Sequence, residues 1–105
     1  MCIRDSLNTE RAFTFDGVMK YDNESGVTSE HAYGPNRHGG EAVFAPKVGS
    51  VSEGDGYLVC FVQHEAENQS ECQIIDAQNI TAGPVATIIM PFRVPYGFHA
   101  GWVGA

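Results

Sequence analysis

The chain has 105 residues, 43% of them hydrophobic and 18% charged, and carries a formal net charge of −7. That length holds one domain or part of one, and the apolar fraction suits a packed chain and excludes a disordered one. Six Lys and Arg spread among 13 Asp and Glu cannot build a phosphate-tracking groove, which excludes nucleic acid as a partner.

The first six residues, MCIRDS, carry no periodicity and are too polar for a secretory signal. They look like the adapter-derived translations that begin some metagenomic sequences, so residues 1–6 are read as a non-native leader and the fold is expected to begin at residue 7. The native chain would then continue upstream.

Residues 17–34, GVMKYDNESGVTSEHAYG, predict a hairpin. Val18 to Tyr21 and Val27 to Tyr33 flank a turn at Asp22-Asn23-Glu24-Ser25-Gly26, whose Asp, Asn, Ser and closing Gly supply the turn chemistry. GPNRHGG (34–40) reads as a loop, EAVFAP (41–46) as a short strand and KVGSVSEGDG (47–56) as another loop. YLVCFVQHEA (57–66), a turn at ENQS and ECQIIDAQ (71–78) predict a second hairpin, and TAGPVATIIMP (81–91) adds a strand. No stretch keeps helical apolar spacing beyond two turns, and Gly and Pro recur throughout. The expected class is all-β, built of short antiparallel strands.

Val59 to Val62 and Val85 to Met90 are continuous apolar runs, which suit strands covered on both faces. The longest run, YLVCFV, falls well short of the roughly 18–20 residues that span a membrane. With only about six strands predicted, some of that apolar surface must meet neighbours that the chain lacks, as in an outer unit of a repeat architecture. The pattern points to a fragment.

Cys2, Cys60 and Cys72 have no metal-type spacing. In the predicted hairpin residue 60 faces roughly residue 75 rather than 72, so free thiols in a reducing compartment are expected. Of the four histidines, His31 ends a hairpin strand, His38 sits in a Gly-rich loop and His64 precedes a polar turn. None has the short spacing that brings two imidazoles together locally, and each is expected at the surface, exposed or hydrogen-bonded. His99 differs. The tail RVPYGFHAGWVGA (93–105) surrounds it with Val94, Tyr96, Phe98, Trp102 and Val103, a shell that would exclude water. From the residues alone it is either a core histidine or one that holds a ligand.

GGEAVFAPKVG, EGDGYLVCFV and IIDAQNITAGPVATIIMPFRVPYGFHAGWV occur in that order. Together they resemble the C-terminal region of the carotenoid cleavage oxygenases, including the lignostilbene-type dioxygenases, over about Gly17 to Val103. The resemblance implies that residues 7–105 are the last blades of a seven-bladed β-propeller with a non-haem Fe(II) on its axis, held by four histidines from different blades. It implies that His99, in Pro95-Tyr96-Gly97-Phe98-His99, is an iron ligand. It also implies that Glu41, in Gly39-Gly40-Glu41-Ala42-Val43-Phe44, accepts the outward N–H of that imidazole. His31, His38 and His64 do not match the motifs of the other ligands, which would lie upstream. Ala100 follows the histidine where Gly is common in the family.

On this resemblance the whole protein would cleave a C=C bond of a carotenoid, apocarotenoid or stilbene with O2, and these 105 residues alone would be inactive. Its partners would be a small apolar conjugated substrate, O2 and the missing N-terminal blades. Its location would be cytoplasmic, with any peripheral membrane contact made through upstream parts. The alternative is a complete small acidic β-rich binding domain with structural histidines.

Overall fold

The computed structural model describes residues 2–7, 15–22, 24–52, 54–95 and 100–104. The described residues form eight strands of one antiparallel sheet: β1 (Cys2–Leu7), β2 (Phe15–Tyr21), β3 (Thr28–Ala32), β4 (Arg37–Gly39), β5 (Val43–Pro46), β6 (Gly56–His64), β7 (Gln69–Asp76) and β8 (Pro84–Ile89). Two meanders make it up. In the first, β2 lies between β1 and β3; in the second, the order is β5-β6-β7-β8. The short β4 links them, bridging Phe15 of β2 through Gly39 and pairing three residues with β6.

Residues 2–7 are paired one by one with β2, from Cys2 opposite Tyr21 to Ser6 opposite Gly17. A ladder of backbone bonds needs no apolar pattern, so this strand leaves little trace in sequence. The same reason accounts for β4, which falls inside the segment expected to be a loop. It is held by its ladder to β6 and by Arg37 Nε donating to Glu71 Oε1 across the sheet at 2.9 Å. Glu71 is buried, so removing Arg37 would leave its charge uncompensated, at a cost of up to about 3–5 kcal/mol, whereas the partly exposed Arg37 tolerates loss of Glu71 better.

The β2–β3 turn is built by the residues the sequence marks. Asp22 Oδ1 accepts the Glu24 N–H at 3.0 Å, Ser25 Oγ accepts the Val27 N–H at 3.2 Å, and Gly26 closes the turn at φ 72°. The Glu24 N–H holds the Asp22 carboxyl below its usual value, with help from Ser25. A lowered folded value means that this contribution is present above the ordinary carboxylate range and fades as pH falls through the lowered one.

The second hairpin turns two residues earlier than expected. A 3-10 turn at Glu65–Glu67 ends on Asn68 in the left-handed region, φ 52°. Cys60 therefore faces Gln73, and Cys72 faces Phe61. The register puts Leu58, Cys60 and Val62 on one face with Gln73 and Ile75, all buried. The two side chains point to opposite faces, and neither forms a disulfide. Partial burial pushes the Cys72 thiol up and keeps it protonated at neutral pH.

The core lies where that face meets the first meander: Val18 and Tyr33 pack on Leu58, Cys60, Val62 and Ile75, with Ala77 and Ile80 closing one side. Burying each large aliphatic chain contributes about 1.5–3 kcal/mol. Lys20 Nζ adds a tie across the gap, donating to the Ala77 carbonyl at 2.8 Å. The other face is less covered, and Phe61 is 42% exposed. On β8 and just after it, Val85, Ile88, Ile89 and Phe92 are 60, 50, 55 and 67% exposed. The long apolar runs are thus buried on one face in β6 and uncovered in β8, so the described residues do not supply the double covering that they suit.

Gly56 opens β6 where β5 and β6 press closest. A Cβ there would meet the Ala45 carbonyl oxygen, Phe44 Cζ at 2.7 Å and the Pro46 Cα at 2.8 Å. Two of these are backbone and cannot swing aside. Gly56→Ala is expected to lower stability by about 1–3 kcal/mol, the usual cost of overpacking, read as a lower urea midpoint at unchanged slope.

Candidate functional site

Glu41 sits at a jog in the sheet. β4 and β5 both pair with the same edge of β6, Gly39 opposite Val62 and Val43 opposite Val59, so Gly40, Glu41 and Ala42 pass opposite only Cys60 and Phe61. An extra residue in one strand bends it and re-aims a side chain. Two features fix the jog. Gly40 N–H donates to the Phe61 carbonyl at 3.1 Å. At Gly39 the space of a side chain is taken by the Tyr33 ring, whose Cζ lies 3.0 Å from where a Cβ would stand.

From this jog the half-buried Glu41 reaches the C-terminal tail. Its Oε2 accepts the backbone N–H of Ala100 at 2.7 Å, across 59 residues of sequence. This bond uses the main chain, so alanine makes it as well as glycine would. His99, the residue just before, lies outside the described residues, as do Tyr96 and Phe98. Trp102 and Val103 are described, and they correct the expected dry shell: they are 55 and 89% exposed. The described part of the chain offers them no covering surface.

The tail is also fixed at its start. Val94 N–H donates to Ser70 Oγ at 2.7 Å, and the Ser70 hydroxyl donates in turn to Gln63 Oε1. Arg93 Nε donates to the same Gln63 oxygen at 3.3 Å, and Arg93 Nη1 donates to Asn68 Oδ1. Sequence reasoning passed over Ser70 and Gln63. They lie on the face opposite the core, and the sequence marks them only as two uncharged polar residues at the turn end of the hairpin.

The other histidines stand apart. His31 Nε2 donates to Gln73 Oε1 at 3.4 Å and meets the Tyr33 ring edge-on, with centroids 5.8 Å apart. His38 Nδ1 donates to Asp16 Oδ1 at 3.1 Å, with Glu65 Oε2 3.9 Å from its other nitrogen. His64 lies in β6 between Arg37 and Gln69. Among the described residues no three His, Cys, Asp or Glu side chains form a group that could hold a metal ion.

The family model described as retinal pigment epithelial membrane protein, RPE65, matches residues 1–104. The chain belongs to this family, the carotenoid oxygenases. A carotenoid 9,10(9',10')-cleavage dioxygenase of Crocus sativus is 50% identical over 89 residues, covering 83% of this chain and 16% of that protein. The Synechocystis apocarotenoid-15,15'-oxygenase is 38% identical over 85 residues, 81% of this chain and 17% of its own length. The isoeugenol monooxygenase of Pseudomonas nitroreducens is 37% identical over 94 residues, 90% of this chain and 20% of its own. A cobalt-substituted structure of the Synechocystis oxygenase superposes with a TM-score of 0.81 at 35% identity, over 87% of this chain and 19% of that one. The chain therefore spans about a fifth or less of the length of these carotenoid oxygenases. Its antiparallel meanders are a piece of their propeller.

Proposed function

We propose that residues 7–105 are the C-terminal part of a non-haem Fe(II) dioxygenase that splits a C=C bond of a carotenoid, apocarotenoid or stilbene with O2, giving two carbonyl products. On its own the chain is inactive, because it offers one ligand of the four-histidine set. His99 takes one coordination position, and Glu41 orients its imidazole. The observation that supports this most directly is the Glu41 bond to Ala100 N–H, which sets a carboxylate beside His99 in the chain.

The donor chemistry fits. Fe(II) takes a neutral imidazole nitrogen, and the opposite N–H then needs an acceptor wherever water is excluded. A carboxylate presents about four lone-pair positions, so accepting Ala100 N–H is compatible with accepting the imidazole N–H too. Such a partner fixes the ring and raises its basicity. When bound, the iron supplies the redox chemistry with O2 that cleavage requires. The chain's own contribution is to hold and aim one ligand.

The exposed apolar residues of β8 fit a strand whose neighbours lie elsewhere in a longer protein, and they are unexplained in a self-contained acidic binding domain. Among the described residues no helix is long and apolar enough to cross a membrane. A cytoplasmic protein that meets membranes only through its upstream parts completes the reading.

The test is metal and product analysis of the longer protein carrying these residues. One iron per chain and two carbonyl products from a carotenoid, apocarotenoid or stilbene are expected, with no retained iron on residues 1–105 alone. A longer protein that binds no iron and leaves all three substrate classes intact overturns the reading.

A further inference from the structure

Ser70 is fully buried, and its hydrogen bonds reach the residue that follows β8, the tail and Gln63. Its carbonyl accepts Met90 N–H at 2.9 Å, and its hydroxyl accepts Val94 N–H at 2.7 Å. One residue thus holds both ends of the Pro91-Phe92 bend and sets the point where the chain leaves β8. Gln63, directly opposite Ser70 in the β6–β7 register and 2% exposed, receives the Ser70 hydroxyl and the Arg93 Nε on one oxygen. Arg93 then closes the network on Asn68, the left-handed residue of the turn.

The Ser70 hydroxyl and the Gln63 side-chain oxygen find their partners in the tail and in each other. A hairpin that only needed to be stable would do as well with apolar residues of similar shape, since replacing both partners of a buried bond costs little. The second anchor of the same stretch is Glu41 on Ala100 N–H. The backbone is therefore pinned at Val94 and again at Ala100, and five residues separate the two points.

From this geometry we infer that Ser70, with Gln63 and Arg93, is a positioning residue: it fixes the start of the segment that ends in His99 and thereby the aim of the imidazole at the metal. The inference rests on the reading of His99 as a ligand. Ser70 touches neither metal nor substrate; it acts through the backbone. A Ser70→Ala change frees Val94 N–H and leaves the Gln63 oxygen to Arg93 alone, so the tail keeps its sequence and loses its fixed origin.

The experiment is Co(II) titration of the longer protein, followed by visible absorption, on the unsubstituted chain, His99→Ala, Ser70→Ala and Arg93→Met. Arg93 is exposed, so its variant folds even where the buried change does not. Loss of a partner that orients a metal ligand typically weakens binding by about 10–100-fold. Ser70→Ala and Arg93→Met are expected to weaken Co(II) binding by about 10-fold and to shift the visible bands, with kcat falling and KM unchanged. A structural role alone lowers the urea midpoint and moves neither the bands nor the affinity. If His99→Ala abolishes binding while Arg93→Met and any folded Ser70→Ala protein match the unsubstituted chain in affinity and spectrum, the positioning role is overturned and the ligand reading stands. If His99→Ala binds Co(II) normally, the ligand reading falls and takes this inference with it.

Discussion

A longer protein carrying His99→Ala is expected to lose its iron and its cleavage activity together while keeping its fold. The magnitude follows from the weaker perturbation. Removing only the partner of a metal-bound imidazole costs about 10–100-fold in affinity, so removing the imidazole itself must cost more than about 100-fold. Millimolar imidazole added to the variant should restore part of the binding, because the small ring can enter the vacated place as a free ligand. Stability separates the two roles that the sequence left open for this histidine. A ligand contributes only through the bound metal, so the metal-free variant should unfold with the unsubstituted protein, and only the stabilisation by excess metal should vanish. A core histidine gives the reverse: metal retention unchanged and a lower unfolding midpoint without metal. Thermal scans of both proteins with and without Co(II) decide between them, and the second pattern would return His99 to the core.

Where a segment's chemistry was local, it was legible in the sequence. The β2–β3 hairpin could be placed because Asp22, Ser25 and Gly26 each make the bond or adopt the conformation for which their type is suited. β6 and β8 announce themselves as apolar runs between turns, and β7 follows as the second arm of the hairpin that β6 opens. What escaped was set by partners far away. β4 is a strand only because β6 presents a free edge to it, and it carries no pattern of its own. The β6–β7 turn was displaced by two residues because Asn68, not Gly, takes the left-handed position. Asn is the commonest non-glycine residue there, and that was the available clue. Glu41 and His99 were legible only through the resemblance of two motifs to a family. Spacing could not have linked residues 58 positions apart, and a carboxylate meeting a backbone N–H next to the histidine is visible only in three dimensions. Ser70 and Gln63 were missed because Ser70 falls in the expected turn ENQS and Gln63 at the polar end of its strand, where both read as surface. Register pairs them on the face opposite the core, where Arg93 and Val94 of the tail bond to them.

Glu41 is expected to show two separable functions, and two substitutions divide them. In Glu41→Gln the amide oxygen can still accept Ala100 N–H, but the charge is gone and the second amide position is a donor. A donor facing the imidazole N–H repels it, so the ring loses its partner while the tail keeps its anchor. Iron affinity in the longer protein should fall by about 10-fold, with Ala100 still protected from amide exchange. Glu41→Ala removes both bonds. Affinity should then fall by up to about 100-fold, and exchange at Ala100 should accelerate toward that of the exposed residues beyond it. The order of the two variants is the informative result, because anchoring and basicity add only if both are real. Should Glu41→Gln bind iron as the unsubstituted protein does while Glu41→Ala loses affinity and protection together, the carboxylate serves the backbone alone and the charge at that position has no role in holding the metal. Should neither variant alter iron affinity, the contact with Ala100 is a feature of the fold and the acceptor of the imidazole lies in another part of the protein.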